Sequence, residues 1–150
     1  MTFKPHVTVS SVIERDRQFL LVEERVRGRT VLNNPAGHLE AGESLLDAVV
    51  RETLEETAWD FRPEALTGIY LWRSPTSHAT FLRAGFCGRL VHHHADRELD
   101  TDILRTVWMT RAEIEAAGAH LRSPLVLRSI DDYLAGTRHP LDLLQHITDD

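Results

Sequence analysis

Cysteine is almost absent from this chain: Cys87 is the single one in 150 residues. One cysteine excludes an internal disulfide and any multi-thiolate metal site. Long apolar runs are absent too. No stretch reaches the roughly 18 uninterrupted apolar residues that a membrane-spanning helix needs. Lysine is as scarce as cysteine: Lys4 stands alone among seventeen basic residues, and the rest are arginine. Twenty-three acidic residues outnumber them, for a formal net charge of −6. A general nucleic-acid binder needs a basic stripe, so that class is disfavoured. The opening MTFKPHVTVSS lacks a charged start followed by an apolar core, and no signal peptide is expected from it. These absences lead us to expect a cytoplasmic protein.

What is present suits a folded domain. Hydrophobic residues make up 42% and charged residues 27%, an ordinary globular composition. The length is that of one domain. No Pro/Gly/Ser linker, repeat or low-complexity tract divides it, so residues 1–150 read as a single domain. The dominance of arginine favours bidentate contacts to phosphate or carboxylate. Net acidity does not exclude an anionic substrate, because a bound metal inverts the sign of a site.

Local patterns alternate between strand and helix. Residues 7–13 and 19–26 read as strands, with a turn at Arg27-Gly28-Arg29. A short strand is expected at 30–32 before the loop Asn33-Asn34-Pro35-Ala36-Gly37. Ser44 is a plausible N-cap for the clearest helix, 44–57. On that helix Leu46, Val50, Thr53, Leu54 and Thr57 share one face, while Ala48, Glu52, Glu55 and Glu56 fall on the other. Strands are expected again at 66–73, 79–90 and 106–109. Short helices are expected at 112–117 and from Pro124 to Leu134, the second ended by Gly136. A further turn or two is expected within 140–146. Strands mixed with three helices argue for an α/β (α+β) fold, a mixed sheet covered by helices on both faces.

The chemistry concentrates in GHLEAGESLLDAVVRETLEETAW, residues 37–59. Glu52, Glu55 and Glu56 project as one cluster within a helical turn. Like charges repel, and a helix C-terminus disfavours negative charge. A divalent cation removes both penalties, and Mg²⁺ prefers oxygen donors shared with substrate phosphates. A solvated acidic face is the competing reading of such a cluster taken alone. The surrounding spacing decides between them. Five residues separate Gly37 from Glu43, seven separate Glu43 from Arg51-Glu52, and two separate Glu52 from Glu55-Glu56. A chance match of these six positions at a given start is about 10⁻⁷ at background usage.

That pattern resembles the signature box of the Nudix hydrolases, and the resemblance extends over nearly the whole chain. FKPHVTV, NNPAGHLE and LRSPLV are similar to a bacterial phosphatase branch of the family. The resemblance implies an α/β/α sandwich with a mixed sheet. It implies hydrolysis of nucleoside tri- and diphosphates or related diphosphates, such as that of the thiamine pyrimidine precursor, with orthophosphate released. Mg²⁺ or Mn²⁺ is the implied cofactor. The implied partner is a small nucleotide or diphosphate, with no nucleic acid or membrane, and with the protein a monomer or homodimer. A non-catalytic Nudix-fold nucleotide-binding regulator is the alternative, although such a module would tolerate an eroded box. An isoprenoid-type isomerase of this fold would need a nucleophile near the box, and no cysteine stands there.

By the same resemblance Glu52 and Glu56 are metal ligands, with Glu55 and the Gly37 carbonyl completing the set. Small Ala48 would leave room for metal and phosphate. Arg51 and Glu43 would form an ion pair that orients the catalytic carboxylates, with Gly42 structural in the loop. Glu55 or Glu52 would act as the base, with Asp102, Glu98 and Asp100 as carboxylates outside the box. Lys4, Arg25, Arg29, His38 and Arg73 are candidate substrate contacts. Arg27 and Arg83 are further possible phosphate contacts. Trp72 and Phe81 could stack on a base, with core packing the competing reading. Cys87 is expected to be a buried, inert thiol, and His92 to His94 a strand-end loop. The box departs from the family at Thr53, where a bulky aliphatic is usual, and at Ala58, where glycine is usual. Ala58 implies an altered or strained helix exit.

Overall fold

A computed structural model describes residues 2–149. Eight strands and three helices follow in order: β1 (His6–Val12), β2 (Glu14–Arg15), β3 (Gln18–Val26), β4 (Arg29–Asn33), β5 (Ala36–His38), α1 (Leu45–Thr57), β6 (Trp59–Arg73), β7 (Thr80–His93), β8 (Ile103–Thr110), α2 (Arg111–Ala117) and α3 (Leu125–Leu134). Short 3-10 turns occupy Gly118–His120 and Leu141–Leu143. The strands form two sheets rather than the one expected. The first, in order β5-β1-β7-β6, is mixed, because β1 runs parallel to β7 while the other pairs are antiparallel. In the second, β3 pairs antiparallel with β2, β4 and β8.

Alternation along the strands feeds two apolar layers. Val9, Leu20, Ala84 and Phe86 pack with Ala48 and Val49 of α1. Val12, Phe19, Leu21 and Cys87 pack with Ile114 of α2 and with Val126 and Ile130 of α3. Adjacent residues of one strand thus serve opposite layers, as the pleat requires. Helices cover both sides, which is the expected α/β/α sandwich. Cys87 is buried, and burial pushes its thiol pKa up, as an inert thiol requires.

Several boundaries differ from the sequence expectation. β6 begins directly after α1 at Trp59 and not at residue 66. Irregular register near Phe61, Pro63 and Leu66 breaks its alternation, and bulges of this kind hide a strand from a period-two reading. Pro63 is tolerated because β6 is an edge strand. β7 runs on through His92 and His93, which pair with Asp60 and Trp59, so the histidine run is strand up to His93. His94 follows it, and its Nε2 lies 2.9 Å from an Asp60 carboxylate oxygen. β5 lies inside what reads as loop, where Thr8, Val9 and Ser10 of β1 pair with it.

α1 is fixed at both ends. The Ser44 hydroxyl accepts from the Asp47 amide at 3.0 Å, and the Asp47 carboxylate accepts from the Ser44 amide at 3.3 Å. This reciprocal pair satisfies two amides that would otherwise be orphaned. At the other end Ala58 adopts the left-handed conformation (φ 63°, ψ 18°) and donates its N–H to the Leu54 carbonyl. The helix exit is therefore the one glycine usually provides, taken up by a strained alanine. Left-handed alanine costs about 1–2 kcal/mol, and burying its methyl offsets about 0.8 kcal/mol of that. Thr53 is wholly buried, and its hydroxyl lies 3.0 Å from that of Ser11 on β1. A threonine can replace the usual aliphatic because β1 supplies a partner.

The face of α1 differs from the expected one. Ala48, Val49, Thr53, Glu56 and Thr57 are the buried residues. Leu46, Val50 and Leu54 are only half-buried. Ala48 is in the core and leaves no space for a ligand. The helix is rolled so that part of its acidic side faces the molecule. Ser44→Ala should lower stability by about 1 kcal/mol, which is a fall of about 2–4 °C in Tm for a chain of this length. Thermal denaturation followed by circular dichroism measures it.

Candidate active site

The box residues meet where α1 passes the β4–β5 loop and the segment before β8. Arg51 is the hub. Its Nε donates to one Glu43 oxygen at 3.0 Å and its Nη2 to the other at 2.7 Å, a bidentate grip. The same Nη2 donates to the His38 carbonyl at 3.0 Å. Nη1 donates to Glu52 at 2.7 Å and to Glu55 at 3.3 Å. One guanidinium thus joins the loop before the helix, the end of β5 and two carboxylates of its own helix. Its bonds to Glu43 and Glu52 hold Arg51 above the ordinary arginine pKa, and its bonds to Glu43 hold that carboxyl below the usual range. Gly42, in the loop just before Glu43, has φ +83°, which L side chains rarely adopt.

Glu52 lies against Gly37 so closely that a Cβ on Gly37 would run into the Glu52 carboxylate. Gly37 is required there for clearance. Burial pushes the Glu52 pKa up, although Arg51 opposes the shift. Glu56 is buried more deeply, and its Oε1 accepts the Ala36 amide at 2.8 Å. Burial raises its pKa to about 9, with the charges of Glu24, Glu52 and Asp100 adding to the rise. Asp100 comes from outside the box. Its amide donates to the Glu55 carbonyl at 3.0 Å, tying the segment before β8 to α1. Oxygens of Glu52, Glu55 and Asp100 all lie within 4.8 Å of one another. An all-oxygen set of converging acids, two of them half-buried, fits a hard divalent cation. Of the three outside carboxylates, Asp100 joins the cluster, Asp102 lines the adjoining cleft, and Glu98 is exposed.

That cleft has a volume of about 540 Å³, well sized for a small ligand. Gly37, His38, Glu52 and Glu56 line it, as do Arg25 and Arg27 of the β3–β4 hairpin. Lys4, Arg29 and Arg73 do not. Arg29 is at the start of β4, opposite Val26, and lines a separate cavity with His120. Lys4 and Arg73 are exposed, and Arg73 reaches only the His78 carbonyl at 3.5 Å. Trp72 and Phe81 belong to neither apolar layer. They stack on each other on the cleft wall, with centroids 5.7 Å apart. His38 Nε2 lies 3.1 Å from His6 Nδ1, and burial lowers the His38 pKa.

Glu24, Asn33 and Arg122 also line the cleft, and nothing in their local sequence singles them out.

The raised pKa of Glu56 makes a prediction for metal-free protein. Below pH 4.5 the folded and unfolded states both hold the Glu56 proton, and its full contribution is present. As pH climbs toward about 9 the unfolded state ionises first, and that contribution is lost. In EDTA at pH 8, Glu56→Gln should therefore unfold at a higher temperature than the parent chain. Divalent cation should raise the parent's Tm much more than the variant's. Calorimetric scans from pH 5 to 9 check both.

Comparison with known proteins agrees with this geometry. The NUDIX domain family model matches residues 4–129. The chain is 41% identical over 142 residues to proteins named Phosphatase NudJ from Escherichia coli K12 and from Shigella flexneri, covering 95% of this chain and 92% of theirs. A solved NUDIX hydrolase from Nitrosomonas europaea is 51% identical, with TM-score 0.95 over 98% of this chain and all of that one. The NUDIX domain of Shewanella oneidensis NrtR, solved with ADP ribose, shares the fold at 16% identity and TM-score 0.70 over 89% of this chain and 90% of that one. A box that places its carboxylates around one arginine, on this fold and with these relatives, makes the chain a member of the Nudix hydrolase family.

Proposed function

We propose that the chain hydrolyses phosphoanhydride bonds of nucleoside tri- and diphosphates, or of related diphosphates, and releases orthophosphate. The observation that carries this reading is the meeting of Glu52, Glu55 and Asp100 at the edge of a cleft lined by arginines and aromatic rings. The names of the relatives support it: they are phosphatases or hydrolases of this family. The ADP ribose bound to the Shewanella domain is a nucleoside diphosphate ester, a compound of the proposed substrate class.

In this reading Glu52, Glu55 and Glu56 hold a divalent cation, Mg²⁺ or Mn²⁺, with the Gly37 carbonyl and Asp100 beside them. When bound, the cation neutralises charge on the phosphoryl oxygens and fixes their orientation. Arg51 holds Glu52 and Glu55 in place against their mutual repulsion. Glu55 or Glu52 takes the proton of the attacking water. Glu55 is the more exposed of the two, and burial raises the proton affinity of Glu52 above that of an ordinary carboxylate. Arg25 and Arg27 face the cleft and balance the charge of the phosphates. A purely ligand-binding role is disfavoured because every acidic position of the box is intact.

Phosphorus NMR of GTP incubated with protein and Mg²⁺ tests the reading directly. GDP, then GMP, should appear with orthophosphate. Pyrophosphate with GMP would leave a hydrolase of different bond choice, and no turnover of GTP or other diphosphates would overturn the proposal. Glu56→Gln should keep the fold and lower kcat by about two to three orders of magnitude. Full activity in that variant would remove Glu56 from the site.

A further inference from the structure

The histidine run at the end of β7 lies outside both the acid cluster and the cleft, yet it grips the exit of α1 residue by residue. The His93 ring packs on Trp59 with centroids 4.7 Å apart. The His94 amide donates to the Ala58 carbonyl at 2.8 Å, and His94 Nε2 lies 2.9 Å from an Asp60 carboxylate oxygen. His92 pairs with Asp60 across the strands, and its ring meets that of His94 at 87° with centroids 4.6 Å apart. Ala58, Trp59 and Asp60 are thus each held from the end of β7.

From His94 the chain runs over residues 94–102 to β8 and carries Asp100 into the acid cluster. Of these residues only His94 and Leu99 are half-buried, and the others are exposed. Apolar burial therefore contributes little to where the segment sits, and hydrogen bonds must set it. At its far end the Asp100 amide donates to the Glu55 carbonyl, and the Asp102 carbonyl accepts the Arg25 amide, each at 3.0 Å. At its near end stands His94, whose ring makes the one side-chain hydrogen bond of the segment among the described residues. The last carbonyls of a helix find no partner within it. This segment answers two carbonyls at the exit of α1, those of Glu55 and Ala58, with the amides of Asp100 and His94. A turn closed by the Arg97 amide on the His94 carbonyl at 3.0 Å leaves only Glu98 and Leu99 before Asp100. The anchor and the acid are therefore joined by a short, turned stretch of chain.

We infer that the Asp60–His94 pair is the anchor that positions Asp100 in the cation site. His94 is a positioning residue: it acts through a segment that has little else to hold it. The inference rests on the reading of Glu52, Glu55 and Asp100 as a cation site. It adds that the acid from outside the box is set in place from the helix exit, by the histidine run.

Binding of Mn²⁺ to the full chain, followed by the paramagnetic resonance of the free ion, tests this without turnover. Mn²⁺ suits carboxylate sites more than imidazole. His94→Ala should raise the Mn²⁺ Kd about threefold to fivefold, the range of an exposed ion pair. Asp60→Ala should do the same, and the double variant no more, because both remove one contact. Asp60→Ala also carries the test if His94→Ala misfolds. His94→Gln, whose amide nitrogen takes the place of Nε2, should stay within about twofold of the parent. In an Asp100→Asn background, His94→Ala should change the Kd by less than about 1.5-fold. A merely structural role would weaken binding equally with Asp100 present or replaced, and that result overturns the inference. An unchanged Kd in both His94→Ala and Asp60→Ala overturns it as well. If Asp100→Asn binds Mn²⁺ as the parent does, the anchor has nothing to position and the inference falls, while the glutamates and the hydrolase reading stand. If the parent binds no Mn²⁺, the cation site falls and the inference with it.

Discussion

One guanidinium sets the geometry on which the site depends. Arg51 bonds Glu43, Glu52, Glu55 and the His38 carbonyl at once. A lysine could not do this, because the grip on Glu43 uses two fixed N–H donors while a third nitrogen serves the helix carboxylates. Without it, Glu52 and Glu55 would repel each other, and the loop before α1 would lose its anchor. Even with it, the charge does not balance. One arginine faces four box acids, and burial raises the pKa of Glu52 and Glu56 in spite of it. Ionising these buried acids is costly, so without metal the site holds on to protons; a further cation would replace them, which is the physical basis of the proposed metal.

The scaffold around this hub serves clearance and reach. Gly37 has no side chain because the Glu52 carboxylate occupies its space. Glu56 caps the Ala36 amide from within the core, so the helix and β5 are joined by a carboxylate instead of by apolar packing. The backbone bond from Asp100 to the Glu55 carbonyl brings a residue about one third of the chain away into the acid cluster. Each of these contacts joins a neighbouring segment to α1, and α1 is held by its capping box at one end and by the strained Ala58 at the other.

The legible part of the fold was the part written locally. The box helix, its cap and the meeting of Arg51 with the glutamates follow from spacing along one helix, where three and four residues apart means neighbouring. Most strands were legible as β-branched and apolar runs bounded by turn residues, and the covered sheet from their mixing with three helices. The roll of α1 was not, because Ala48 and Glu56 are turned inward by the β4–β5 loop, which no helical pattern encodes. The start of β6 was hidden by its bulges. Trp72 read equally as core because a strand pattern does not say which sheet face is covered. Arg83 and Asn33 could not be placed together on the cleft in advance, since β7 and β4 are brought together only by tertiary packing. Arg29 was a candidate substrate contact, but its place at the start of β4 puts it on another cavity.

The parallel pairing of β1 with β7 has a kinetic meaning. Thr8 meets Arg83 at a sequence separation of 75 residues, and such a contact closes only after the hairpins, the box helix and β6 have been strung between them. Long-range pairings of this kind are slow to form. One wall of the cleft therefore depends on a long-range pairing, whereas Glu52, Glu55 and Glu56 lie within about one turn of α1. A nascent chain would present its charged helix well before it possessed a place for the rest of a ligand. Recovery of ligand recognition, more than recovery of helix content, marks the moment at which this molecule is complete.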